Sequence, residues 1–184
     1  MCSAAILETP FIPILMGHPE LQERLLARMS ALLATALRPT EALATLDLIY
    51  QENNSALLAD HRRWELELDN PSPERSLSEM RSFIMARPDH LIQHLAQHTG
   101  RKARVVHVDV PGIGIGEVRV EGLSLSEGHH AMVCFSDVPM TFEAIPAAGM
   151  EFAGWEGRMG AAGTMRLDPT EYRFLKPRFR ILVP

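Results

Sequence analysis

The sequence predicts an α+β fold, with an N-terminal helical subdomain over residues 1–100 and a small, mostly antiparallel β domain over residues 101–184. Three observations predict it. Apolar residues recur at helical spacing before Gly100. After Gly100 they alternate singly with polar ones between Gly and Pro punctuation, the pattern of half-buried strands. The charge balance changes at the same place: residues 1–100 carry 8 basic and 13 acidic side chains, and residues 101–184 carry 10 of each.

The first helix is expected to open at Pro19, because a proline at the first helical position loses no hydrogen bond. Leu21, Leu25, Leu26, Met29, Leu32, Leu33 and Ala36 continue it to Arg38-Pro39, where the residue before proline avoids the α region. Thr40 is the expected cap of the next helix, which carries Leu43, Leu46, Ile49, Tyr50, Leu57, Leu58 and His61 toward Trp64. Asn53-Asn54-Ser55 weakens its middle and suggests a division into two. Asn70-Pro71-Ser72-Pro73 reads as a loop. Ser76-Leu77-Ser78-Glu79 fits a capping box for a third helix. Arg87-Pro88 breaks or kinks that helix, and a last helix runs from Pro88 to His98, with Gly100 at the stop.

Beyond Gly100, Val106/Val108/Val110, Val118/Val120, Met140/Phe142/Ala144, Met165/Leu167 and Phe179/Ile181/Val183 mark strands, and Ala131–Phe135 reads as a buried one. Five or six short strands are expected.

Composition excludes several classes. The 184 residues are 46% hydrophobic and 22% charged, a globular balance. The net charge of -5 argues against an electrostatic nucleic-acid binder. No run of 18 apolar residues predicts a membrane span, and Met1-Cys2-Ser3-Ala4-Ala5 has no signal-peptide character. The two cysteines, Cys2 and Cys134, make neither a disulfide framework nor a four-cysteine zinc site.

Motifs that carry chemistry are sparse. His90, His94 and His98 recur every fourth residue and set three imidazoles along one helical stripe, a low-ranking candidate for a transition metal and the basis of an alternative reading as a metal-dependent enzyme. A solvated stripe is the simpler interpretation, since no Asp, Glu or Cys completes the set. Pro111-Gly112-Ile113-Gly114-Ile115-Gly116 precedes a strand rather than a helix and lacks a P-loop lysine and hydroxyl, so it is a turn. His129-His130 near Cys134 is weaker than the buried-strand interpretation of the same stretch. Glu65, Glu67 and Asp69 form an acidic segment that reads as solvated. No nucleophile elbow and no kinase triplet of the usual kind is present. By residue chemistry alone there are no catalytic, cofactor-binding or metal residues to assign.

Several stretches resemble the C-terminal part of CotH-type proteins, the atypical kinases of the spore-coat family. They are Ile14-Leu15-Met16-Gly17-His18-Pro19-Glu20-Leu21 with Arg24–Arg28 and Leu32–Thr35, then His61-Arg62-Arg63-Trp64, then Met80–Pro88 with its Phe83 and Arg87-Pro88. In the β half, Met140–Gly149 leading to Phe152-Ala153-Gly154-Trp155-Glu156-Gly157 is similar to the bacterial-repeat pattern, with Arg173-Phe174-Leu175 and Pro177-Arg178-Phe179 as its closing strand.

This resemblance implies a bacterial cell-envelope or extracellular setting and a truncated, non-catalytic C-terminal region. The family's ATP and Mg²⁺ belong to a complete kinase domain upstream, whose lysine and aspartate motifs are absent here, so no cofactor is implied for this chain. The implied partner is that missing N-terminal kinase region or another protein. The other alternative is a stand-alone interaction module.

Overall fold

The computed structural model describes residues 14, 16–68, 71–157 and 162–182. Three helices precede a set of mostly antiparallel strands, which is the α+β order expected from the periodicities. Cys2, the segment before Ile14, Asn70 and Val183 lie outside the described residues, as do the side chains of Glu65, Glu67 and Asp69.

The chain forms two compact units. One joins residues 1–35 with 95–184; the other is residues 36–94. Composition changes near Gly100, whereas the units divide after Thr35 and before Leu95.

In the first unit, α1 (Pro19–Ala34) starts with Pro19 in its first turn, as the sequence indicates. It ends at Ala34, earlier than the apolar pattern predicts, where Thr35 Oγ1 donates back to the Ala31 carbonyl at 2.8 Å. The buried face of α1 is mostly small: Leu26, Ala27, Ser30, Ala31 and Ala34. Small residues let a helix backbone come close to a sheet, and α1 lies against β4 (Gly128–Phe135). Two arginines hold it there. Arg28 donates to the Glu121 carbonyl at 2.6 Å, and Arg101 pairs with Glu23 at 3.2 Å while also reaching the Ser136 carbonyl.

The strands are β1 (Ala103–Val110), β2 (Gly116–Val120), β3 (Leu123–Ser124), β4, β5 (Met140–Pro146), β6 (Met150–Trp155), β7 (Thr164–Leu167), β8 (Phe174–Leu175) and β9 (Pro177–Ile181). They exceed the expected number because β3 and β8 are two-residue strands and β6 is a strand that the alternation did not mark. They pair as β4-β1-β8, β3-β2-β5-β7 and β6-β9. Every pair is antiparallel except β1–β8, which is parallel. Alternation sends Val106, Val108, Met132, Cys134, Val118, Val120, Met140 and Phe142 into the core. Glu121-Gly122 joins β2 to β3 with positive φ at both residues (48° and 74°), the two-residue hairpin turn whose twist suits the strands.

Phe152, Trp155 and Phe179 form an aromatic cluster on the β6–β9 pair. Phe152 meets Trp155 and Phe179 edge-on at 5.9 and 6.0 Å, and Trp155 Nε1 donates to the Ala162 carbonyl. Gly149 provides the positive-φ turn into β6.

In the second unit, α2 (Pro39–Leu68) is one continuous helix. It begins at Pro39, so Thr40 lies inside it rather than capping it. The Asn53 amide donates to the Ile49 carbonyl at 2.8 Å and so stays on its own helix instead of breaking it. α3 (Pro73–Thr99), of which residues 73–94 belong to this unit, is also continuous and carries Pro88 inside it. The expected break at Arg87-Pro88 is therefore absent. Its cap is Ser72, not Ser76: the Ser72 hydroxyl accepts from the Arg75 amide at 3.3 Å, and Pro73 takes the first helical position. α2 and α3 run back antiparallel, with Asp47 facing Arg81 at 2.6 Å.

Candidate functional site

Two features stand out, one in each unit. The α2–α3 hairpin exposes apolar side chains along its length. No residue of α3 is buried, and Leu48, Ile49, Leu57, Met80, Phe83 and Met85 are all exposed, Phe83 at 61%. Large apolar side chains clustered in water mark a docking surface more often than a finished monomer. Between the helices lies a cleft of about 260 Å³, walled by Leu46, Ile49, Tyr50, Leu57, Leu77 and Met80, with Asp60 and His61 at its polar side.

Two arginines of this hairpin stack on neighbouring aromatic rings. The Arg87 guanidinium sits 5.6 Å over the Phe83 ring, and that of Arg63 sits 5.1 Å from the Trp64 ring. Residues 39–99 hold 10 acidic and 5 basic side chains, so the hairpin carries net negative charge.

The second feature is the open face of β1 and β4. Register places Asp109 opposite His129 and His107 opposite Ala131. His129 Nδ1 lies 2.7 Å from Asp109 Oδ1, and His129 Nε2 lies 3.0 Å from His107 Nδ1, with the two imidazoles stacked at 5.1 Å. A single proton fits between two imidazole nitrogens at that distance. With Asp109 accepting from Nδ1 of His129, the Nε2 lone pair of His129 faces His107. Val105 and Phe174 are exposed on the same sheet, Phe174 in register with His107.

The sequence candidates fall elsewhere. His90, His94 and His98 are exposed along α3. Among the described residues, no group of three or more His, Cys, Asp and Glu is arranged to hold a metal ion. The glycine-rich segment is the β1–β2 connection, with Ile115 donating to the Gly112 carbonyl at 3.2 Å. His129 and His130 point to opposite faces of β4: His129 is exposed, while His130 is buried and bonds the Ser126 carbonyl at 2.7 Å. Cys134 is fully buried, and burial pushes its thiol up to about 12 from 9.0, which keeps it protonated and unreactive.

Sequence reasoning passed over His107 and Asp109, seeing only the polar beats of a strand. The available signal was three imidazoles and a carboxylate on two strands, but only the register joins them. Comparison with protein-family models, curated proteins and solved structures finds no match to this chain.

Proposed function

We propose that the chain is a non-catalytic binding module, in which the α2–α3 hairpin docks a basic, amphipathic segment of a protein partner. The observation that carries this is the set of exposed apolar side chains on the hairpin with the cleft between its helices. An amphipathic helix laid into such a groove would bury those side chains, and the net negative charge of the hairpin favours lysines and arginines on its rim. On the resemblance to CotH-type proteins, the first partner to try is a CotH-type kinase domain, and the proposed setting is the cell envelope. It also leaves phosphoryl transfer outside this chain.

The test is calorimetric titration of the full chain with a purified CotH-type kinase domain at two salt concentrations. Saturable binding that weakens at higher salt, and falls at least ten-fold in Phe83→Asp and in Met80→Asp, is the expected result. Absence of binding at 100 μM would overturn that choice of partner. ATP hydrolysis by the chain alone would overturn the non-catalytic reading. Sedimentation of the same variants shows whether a second copy occupies the groove, which would replace the hetero-partner with self-association.

A further inference from the structure

We propose that His107 and His129 form a two-imidazole site for a divalent transition-metal ion of the zinc, nickel and copper class, on the open face of the β1–β4 pair. The geometry is that of a coordination edge. Two nitrogens bound to one metal at about 2.05 Å lie about 2.9 Å apart at a right angle and about 3.4 Å apart at a tetrahedral angle. His107 Nδ1 and His129 Nε2 are 3.0 Å apart. They come from adjacent, hydrogen-bonded strands, so the backbone holds the spacing rather than two free side chains.

The third residue is the carboxylate. Asp109 accepts from His129 Nδ1 at 2.7 Å, which fixes the tautomer that leaves Nε2 free to ligate. A carboxylate behind a ligating imidazole orients the ring and raises its basicity. Imidazole pairs select the borderline metals over magnesium and calcium, which prefer oxygen. His129 is 55% exposed, so water can complete the coordination sphere. When the metal enters, the proton on His107 Nδ1 passes through water to Nε2 of the same ring, which frees Nδ1 to ligate.

The ion would bridge the middle of β1 to the start of β4.

The experiment is titration of the full chain with Zn²⁺ and with Ni²⁺, carried out in a His94→Ala background. Histidines four residues apart on an exposed helix can chelate on their own, and removing His94 breaks both such pairs of the α3 stripe. One ion per chain with micromolar affinity is expected, together with paramagnetic broadening by Ni²⁺ confined to the His107 and His129 ring signals. His129→Ala should abolish it, and Asp109→Asn should weaken it ten-fold or more while leaving the folded spectrum unchanged. No binding up to 1 mM metal overturns the site, as does binding that survives His129→Ala. Affinity unchanged in Asp109→Asn removes the positioning role of the carboxylate and overturns the three-residue assignment.

Discussion

Gly116 shows how closely the β part is fitted. A Cβ built there would lie 2.5 Å from Phe179 Cζ and 2.9 Å from the Ile145 carbonyl oxygen. The ring could shift only by disturbing its edge contact with Phe152, and the carbonyl is held by the β2–β5 ladder. Gly116→Ala should therefore destabilise the protein by about 1–3 kcal/mol, the usual cost of overpacking. Gly112→Ala, with open space around it, is the control and should change urea unfolding little. Cys134 makes a second residue-scale prediction. Its thiol pKa rises on folding from 9.0 to about 12 through burial. Below pH 9 both states are protonated and the term is silent. Above it the unfolded chain gives up a proton that the native chain keeps, so stability falls as pH rises toward 12. The slope approaches ~1.4 kcal/mol per pH unit. Unfolding curves of Cys134→Ala, compared with the parent in a Cys2→Ser background, should lack that extra slope.

At the scale of elements, the regular strands were legible because one face of each is buried. Val106, Val108 and Val110 had to alternate with His107 and Asp109 on the other side of the sheet, and they do. The two-residue strands β3 and β8 give no period to read. The parallel pairing of β1 with β8 joins residues 67 apart, which no local pattern encodes. The Asp109–His129–His107 row was hidden for the same reason: it exists only once β1 and β4 are in register. Helix ends failed differently. Ser76 fits a cap by type, but Ser72 followed by Pro73 fits better. Pro88 ends helices by local preference, yet the helix runs through it. That continuity has a cost, since Pro88 supplies no amide to the Ile84 carbonyl and its ring crowds the preceding turn. Pro88→Ala should restore the bond, offset partly by the looser unfolded chain, for a net gain of about 1–2 kcal/mol. Amide exchange near residues 84–92 should slow by about ten-fold, and unchanged exchange would mean that the helix already absorbs the proline without strain.

The whole molecule sets composition against packing. Composition divides the chain near Gly100, yet α1 belongs to the same compact unit as the strands, and residues 36–94 form the other. The reason lies in what α1 buries: Leu26 and Ala31 are fully inaccessible in that unit, and Arg28 and Glu23 bond to groups at Glu121 and Arg101. Removing α1 would bare β4 and strand those partners, whereas the hairpin contains its own ion pair and cleft and exposes apolar side chains. Replacing residues 36–94 with a flexible Gly/Ser linker should then leave a protein that unfolds cooperatively, with the β spectrum intact and the Trp155 environment unchanged. A chain starting at residue 101 should lose that cooperativity, because the sheet loses its cover and Arg101's link to Glu23 goes with it. Thermal unfolding followed by circular dichroism and by tryptophan fluorescence separates the two. If the chain starting at residue 101 melts as sharply and as high as the linker chain, α1 is dispensable and the β strands hold their core alone.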